Sequence, residues 1–295
     1  MGFRYKGNVV NLENYKAIFN KNIYSVDVLD EIRSAVLDDT EIGSFIDSCI
    51  KDSYKLGQLR MAIRELIPID LLSTAMTGKT IKLIRTGVSE GVDFSCVRKY
   101  IENNTRLAIS SEVFESLCAF VYIGTDITRV DFTTIRDSQA NVVLRGLQKG
   151  CPMWLCCSDK SYMSYASEED ILALIKAMAY DIDVAPLISG KWNPEQINSL
   201  LASCVDGEVI NRALSILNAN FNEMSIRIIS LLLKDGYDEE AKKLCAKDKD
   251  NYPLYTEYQL SALSEAARKG RLTDDILNPY LSDVEMSRIA ERHHG

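Results

Sequence analysis

The chain has 295 residues, 46% apolar and 26% charged, a balance that excludes a disordered tail and suits one large domain or two ordinary ones. No apolar run reaches the roughly 18 residues of a membrane span, and the first residues lack the apolar core of a secretory leader, so a cytoplasmic protein with no membrane contact is expected. The net charge of −8 is uneven: residues 79–149 carry 10 basic and 8 acidic side chains, residues 150–250 carry 10 and 16, and that acidic stretch disfavours general nucleic-acid binding.

Residues 1–26 show no periodic pattern and are expected to form an atypical N-terminal cap. From residue 27 a unit recurs. It is clearest in IRTGVSEGVDF, from Ile84 to Phe94. Taking Gly91 as anchor, the equivalent positions hold Asp39, Leu66, Gly124, Gly150, Asp181, Gly207, Gly236 and Gly270, spaced about 29 residues apart on average. Seven residues before each anchor sit Ile32, Leu59, Ile84, Leu117, Val143, Leu174, Leu200, Ile229 and Leu263. Apolar side chains recur ten and three before the anchor as well, and the residue four before is usually small. Offsets of three, four and seven are the inward stripe of an α-helix.

The anchor reads as a helix stop, because Gly accepts the left-handed backbone just past a helix end and Asp tolerates it. An apolar residue follows three later (Ile42, Ile69, Phe94, Ile127, Met153, Val184, Ile210) and should pack a short second helix, of one or two turns, back on the first. Start signals precede the following unit: Asn193 with Pro194 and Glu195, Ser167 with Asp170, and Ser282 with Glu285. The last of these opens a truncated terminal unit in which Met286 and Ile289 fill the first two columns.

A helix pair of this length cannot bury its own apolar face, and stacking the pairs does. The expected fold is therefore all-α: a right-handed superhelical α-solenoid of about nine helical-hairpin repeats of roughly 29 residues over 27–295. The unit resembles a short tandem α-helical repeat, roughly QMxxIRxGLxxGLDVxxYA, of uncharacterised bacterial and mobile-element proteins. Residues 80–94 match it best, and the likeness runs over about 27–290. Val209 and Leu272 stand where that pattern has Asp. The resemblance implies the fold and brings no catalytic residue with it.

No catalytic, cofactor or metal site is expected. The two histidines, His293 and His294, stand at the end of the chain, so no internal Ser-His or Cys-His nucleophile pair exists. Cys49, Cys96, Cys118, Cys151, Cys156, Cys157, Cys204 and Cys245 lack metal-ligand spacing and read as reduced core thiols. MTGKT, from Met76 to Thr80, lacks the first Gly of a phosphate loop and reads as a polar linker ahead of a helix. Glu168, Glu169 and Asp170 fall in a helix's first turn, where the dipole favours carboxylates.

The expected function is non-enzymatic binding of another protein by a repeat scaffold. Its candidate contacts are the linker residues Trp154, Tyr162, Met163, Tyr165, Trp192, Tyr252 and Tyr255, since aromatics and Met are enriched at interfaces. Two alternatives stand beside it. One is a mobile-element inhibitor or nucleic-acid-mimicking decoy using the acidic 150–250 face. The other is a nucleic-acid or nucleotide binder through 79–149, with Arg98, Lys99, Arg106, Arg129 and Arg136 as anion contacts. Unfinished stack ends are compatible with self-association.

Overall fold

A computed structural model describes residues 1–105, 109–203 and 206–292. Among them are seventeen α-helices and one two-stranded sheet, so the chain is all-α beyond its first ten residues. It divides into two compact units, Met1–Gly150 and Cys151–Gly295.

The first unit opens with an antiparallel hairpin of β1 (Phe3–Tyr5) and β2 (Asn8–Val10), with Phe3 opposite Val10. Lys6 and Gly7 turn it, both at positive φ, as a two-residue hairpin turn requires. The helix α1 (Tyr15–Ile18) follows. Beneath the hairpin the Phe19 ring lies 4.9 Å from Tyr5 and 5.3 Å from Tyr24. Residues 1–26 thus hold a small hairpin-and-helix piece whose aromatic side chains pack on one another. It is tied to the first repeat by the Gly2 N–H donating to Asp39 at 2.6 Å, the Arg4 N–H to Glu41 at 2.8 Å, and the Tyr5 hydroxyl and Lys6 ammonium meeting Asp47 at 2.6 and 2.8 Å.

Then come α2 (Val26–Leu37), α3 (Ser53–Arg64), α4 (Gly78–Ser89), the connector α5 (Arg98–Thr105), α6 (Ser111–Tyr122) and α7 (Asp137–Gln148). The five long helices are 12 residues each, and each packs on the next long one. The expected second helices shrink here to single 3₁₀ turns at Ile46–Cys49, Ile69–Leu71 and Phe132–Thr134, while the turn at Ser95–Val97 runs straight into α5.

The second unit holds α8 (Trp154–Cys157), α9 (Lys160–Tyr165), α10 (Glu168–Met178), α11 (Ala185–Ser189), α12 (Pro194–Ser203), α13 (Gly207–Ile216), α14 (Glu223–Lys234), α15 (Asp238–Leu244), α16 (Glu257–Arg268) and α17 (Asp283–Arg292). Here α10, α12, α14, α16 and α17 pack in succession, with the others filling in behind them.

Start and stop signals explain the uniform helix length. Ser25, Asp52, Thr77, Ser110, Ser167, Asn193, Asn222, Thr256 and Ser282 each accept the N–H three residues on through a side-chain oxygen, which satisfies one orphan donor. Eight of the nine anchors (Asp39, Leu66, Gly91, Gly124, Gly150, Asp181, Gly236 and Gly270) lie at positive φ. The next N–H closes the helix onto the carbonyl four before the anchor: Thr40 to Ala35, Ile67 to Ala62, Val92 to Gly87, Thr125 to Phe120, Ile182 to Ala177, Tyr237 to Leu232, Arg271 to Ala266.

Gly207 is the exception. It is the first residue of α13, because Asp206 just ahead of it accepts the Glu208 N–H at 2.9 Å and starts a helix there. Cys204 and Val205 lie outside the described residues.

The column seven before the anchor is buried without exception. The residues three after it are buried too, apart from Ile69, which is 61% exposed; the 3₁₀ turn there sends Leu71 and Leu72 inward instead. The small column has a local cause at Gly87. A Cβ there would come within 2.5 Å of the Phe94 ring and 3.0 Å of Tyr122. The short return segment and the next long helix both press on that point.

Polar groups bridge successive repeats. At the third helical position, Gln196 Nε2 donates to the carbonyls of Ala219 and Phe221 at 2.9 and 2.7 Å, and Gln259 Nε2 to those of Pro279 and Leu281 at 2.9 and 2.6 Å. Lys55, at the same position of α3, donates to the Thr74 carbonyl. The equivalent arginines Arg60 and Arg85 reach back one helix, to Glu31 with Asp38 and to Glu65 with Gln58. Successive repeats are thus joined both forward, from a helix start to the following linker, and back, from mid-helix arginines to the preceding helix.

Candidate partner-binding face

Helical geometry divides each long helix into two faces. Counting from the N-cap, positions 3, 4, 7 and 11 point toward the return segments and the neighbouring helices. Positions 2, 5 and 9 point the other way, and no described return segment covers them. Position 2 is exposed in all ten long helices.

In the first unit this open face carries two adjoining clefts. One, of about 570 Å³, is lined by Tyr54, Lys79, Glu112, Glu115, Ser116 and Ala119, with Asp52, Thr77 and Gly78 at its edge. The other, of about 340 Å³, is lined by Tyr54, Lys79, Lys82, Leu83, Thr86 and Tyr122. Two glycines of α4 make room for the tyrosines. A Cβ on Gly78 would lie 2.5 Å from the Tyr54 ring, and one on Gly87 would lie 3.0 Å from Tyr122. Rings from the helices on either side therefore lie across α4 and bound a trough holding Lys79, Lys82 and Leu83. The Tyr122 hydroxyl donates to Glu90, which holds that ring in place and lifts its own pKa above the ordinary phenol value. In the second unit a cleft of about 350 Å³ falls on the same helical positions, lined by Glu169, Leu172, Ala173, Lys176, Glu195 and Asn198.

MTGKT sits at the rim of the first cleft. Thr77 is the N-cap of α4, and its hydroxyl donates to Glu115 at 3.2 Å. Glu112, Glu115 and Asp52 surround this helix start, so a phosphate there would meet carboxylates. Among the described residues, no group of His, Cys, Asp and Glu gathers as metal ligands would. No described helix is long and apolar enough to cross a membrane.

Of the linker side chains expected to meet a partner, Tyr162, Met163, Trp192 and Tyr255 are buried. They are the small cores of their own linkers and offer no surface, which corrects their reading as contacts. Burial pushes the Tyr162 and Tyr255 phenols up, and the Tyr255 hydroxyl donates to the Leu277 carbonyl at 2.8 Å. Trp154 is half-buried, while Tyr165 and Tyr252 are exposed.

The basic set does not gather into one pocket. Arg98 pairs with Asp70 at 3.0 Å, and the Lys99 ammonium lies 4.7 Å from the Tyr100 ring. Arg129 is exposed beside Asp126, Arg136 is exposed at the N-cap of α7, and Arg106 lies outside the described residues. The seven described cysteines are free thiols, six of them buried and Cys96 half-buried. The Sγ atoms of Cys156 and Cys157 are 3.8 Å apart.

Sequence reasoning missed the open face. Tyr54, Lys82, Leu83 and Tyr122 stand on long helices, outside the linkers that hold the expected contacts. The column two residues after each N-cap was the available signal. No protein-family model, curated protein or solved structure matches the chain.

Proposed function

We propose that this protein is a non-enzymatic, cytoplasmic protein-binding scaffold. Its repeats form a superhelical α-solenoid of about nine hairpin-like units, akin to the short tandem helical repeats of uncharacterised bacterial and mobile-element proteins. The partner lies along the open face of the long helices. One observation carries this reading: clefts in both units fall on the same helical positions of successive repeats. Position 2 among them is solvent-facing in every long helix, so its side chain can vary to suit a partner.

The decisive test compares capture from the native lysate by the wild-type chain and by face variants. Tyr54→Ala with Lys82→Glu addresses the first unit, and Leu172→Glu with Lys176→Glu the second. Loss of a partner in either face variant, with retention in the linker variant Tyr165→Ala, supports the scaffold. Retention in both face variants, or recovery of nucleic acid without protein, sinks it.

A second reading keeps one specific support. Residues 151–295 carry 15 basic and 23 acidic side chains, which suits a decoy competing with nucleic acid for a basic protein. A decoy complex weakens steeply as salt rises through the physiological range, whereas an apolar interface does not.

A further inference from the structure

We propose that the first turns of α14, α16 and α17 form a docking ledge for a basic amphipathic segment of a partner protein. This deepens the protein-binding reading and rests on it. The second helical position is solvent-facing throughout the array. In six of the first seven long helices it is polar or charged: Asp27, Lys79, Glu112, Ser138, Glu169 and Glu195. In the last three it is Met224, Tyr258 and Val284, which are 50%, 68% and 51% exposed. α14, α16 and α17 pack in succession, so these positions are neighbours. Tyr252, Leu254 and Tyr280 lie in the linkers just ahead of the same helix starts and are also exposed. Among the described residues beyond 200, these six are the exposed large apolar side chains. The same unit also exposes Leu155, Tyr165, Leu172 and Tyr180 at scattered places, which is ordinary, but apolar side chains at one helical position of three successively packed helices are not.

Charge selects the occupant. The first helical positions beside the row are Glu223, Glu257 and Asp283, with Glu285 two residues further, and no Lys or Arg occurs in the first three positions of these helices. Arg227 and Arg288 stand a turn further on. Anionic lipid or nucleic acid would meet those carboxylates. A second copy docking ledge to ledge would set like charges against each other, because a two-fold contact pairs a patch with itself. A segment with apolar anchors flanked by Lys or Arg satisfies both the row and its rim.

The test uses the full chain and two synthetic probes, an amphipathic leucine–lysine helix and its leucine–glutamate counterpart. Affinities are read by fluorescence anisotropy at physiological salt. The leucine–lysine probe should bind at least about tenfold tighter than its counterpart, and Met224→Ser with Tyr258→Ala should lose at least about tenfold of that affinity. Both substituted side chains are solvent-facing, so the circular dichroism of the variant should match the wild type; Tyr165→Ala, at an exposed aromatic elsewhere, should bind as the wild type does. Equal binding of the two probes overturns the proposal, as does undiminished binding by the double variant. Light scattering that finds a dimer abolished by the double variant overturns it in favour of a second copy. If the probes fail while partner capture still depends on the open face, the ledge falls and the scaffold stands; if capture is insensitive to the open face too, both fall.

Discussion

Gln196 offers the sharpest test of how successive repeats are joined. It is buried, and its Oε1 accepts the Asn193 N–H at 2.9 Å while Nε2 donates to the carbonyls of Ala219 and Phe221. Gln196→Ala removes all three bonds. A typical bond contributes about 1 kcal/mol net, and a buried group left without a partner costs roughly 1–3 kcal/mol. Ala219 is half-buried, so water can replace one bond there, whereas Phe221 is fully buried. The expected loss is about 3 kcal/mol. With an m value of about 3 kcal/mol/M, the urea midpoint followed by far-UV circular dichroism should fall by about 1 M at unchanged slope. Glu195→Ala, one residue earlier and exposed, should stay within about 0.5 kcal/mol. Gln196→Glu turns a donor into an acceptor facing two carbonyl oxygens. It should cost at least as much at neutral pH and recover in part in acid, where protonation restores the donor. If Gln196→Ala moves the midpoint no further than Glu195→Ala, the amide bridges are not what holds one repeat to the next.

Three further outcomes are expected. Leu66 holds a left-handed backbone with its side chain 87% exposed, so Leu66→Gly should stabilise by roughly 0.5–1 kcal/mol. Gly91→Ala, where a Cβ would meet nothing within 4 Å, should destabilise by a similar amount through φ alone; a thermal melt of each variant checks both signs. Several carboxyls are held below their ordinary range: Asp47 by the Lys6 ammonium and Tyr5 hydroxyl, Glu65 by Arg85, Asp93 by the N–H and hydroxyl of Ser95, and Asp126 by Thr128. A depressed folded pKa means that the unfolded chain takes up protons first. Stability should be full above the ordinary carboxylate range and decline as pH falls from about 5 toward 3, and a melting temperature flat across that window would contradict this. Among the seven described cysteines, Cys96 alone is half-buried; burial raises its thiol as it raises that of Cys245, so access and not acidity sets the order. Brief alkylation of the native protein followed by mass spectrometry should find Cys96 labelled first.

The long helices were legible because their signals are local. A left-handed residue at Gly91 or Gly124 and an inward stripe such as Ile81 and Ile84 need only neighbours in sequence. The helix starts at Ser167, Asn193 and Ser282 were readable for the same reason, whereas Ser25, Asp52, Asn222 and Thr256 emerge as N-caps only in the structure. The hairpin at Phe3–Val10 was not, because strands of three residues carry almost no periodicity. Gly207 misled because a Gly suits a helix start as well as a stop, and the deciding residue was Asp206. Trp192 and Tyr255 misled for another reason. An aromatic in a linker looks alike on paper whether it points out or packs beneath, and only the fold of the linker tells them apart.

A division of labour follows from the array. Positions 4 and 7 are apolar in every long helix and buried in most, and position 11 follows them where it is described, since each helix packs that stripe against its neighbours. Position 3 carries the bridge to the next linker, as Lys55, Gln196 and Gln259 do. Positions 2, 5 and 9 answer to neither demand. Position 2 tolerates different side chains, so Lys79, Glu112 and Tyr258 can occupy one structural position in three repeats. What makes the repeat recognisable is therefore what makes its function hard to read: the shared columns encode stacking, and under the scaffold proposal the residues that choose a partner lie in the column that shows no pattern.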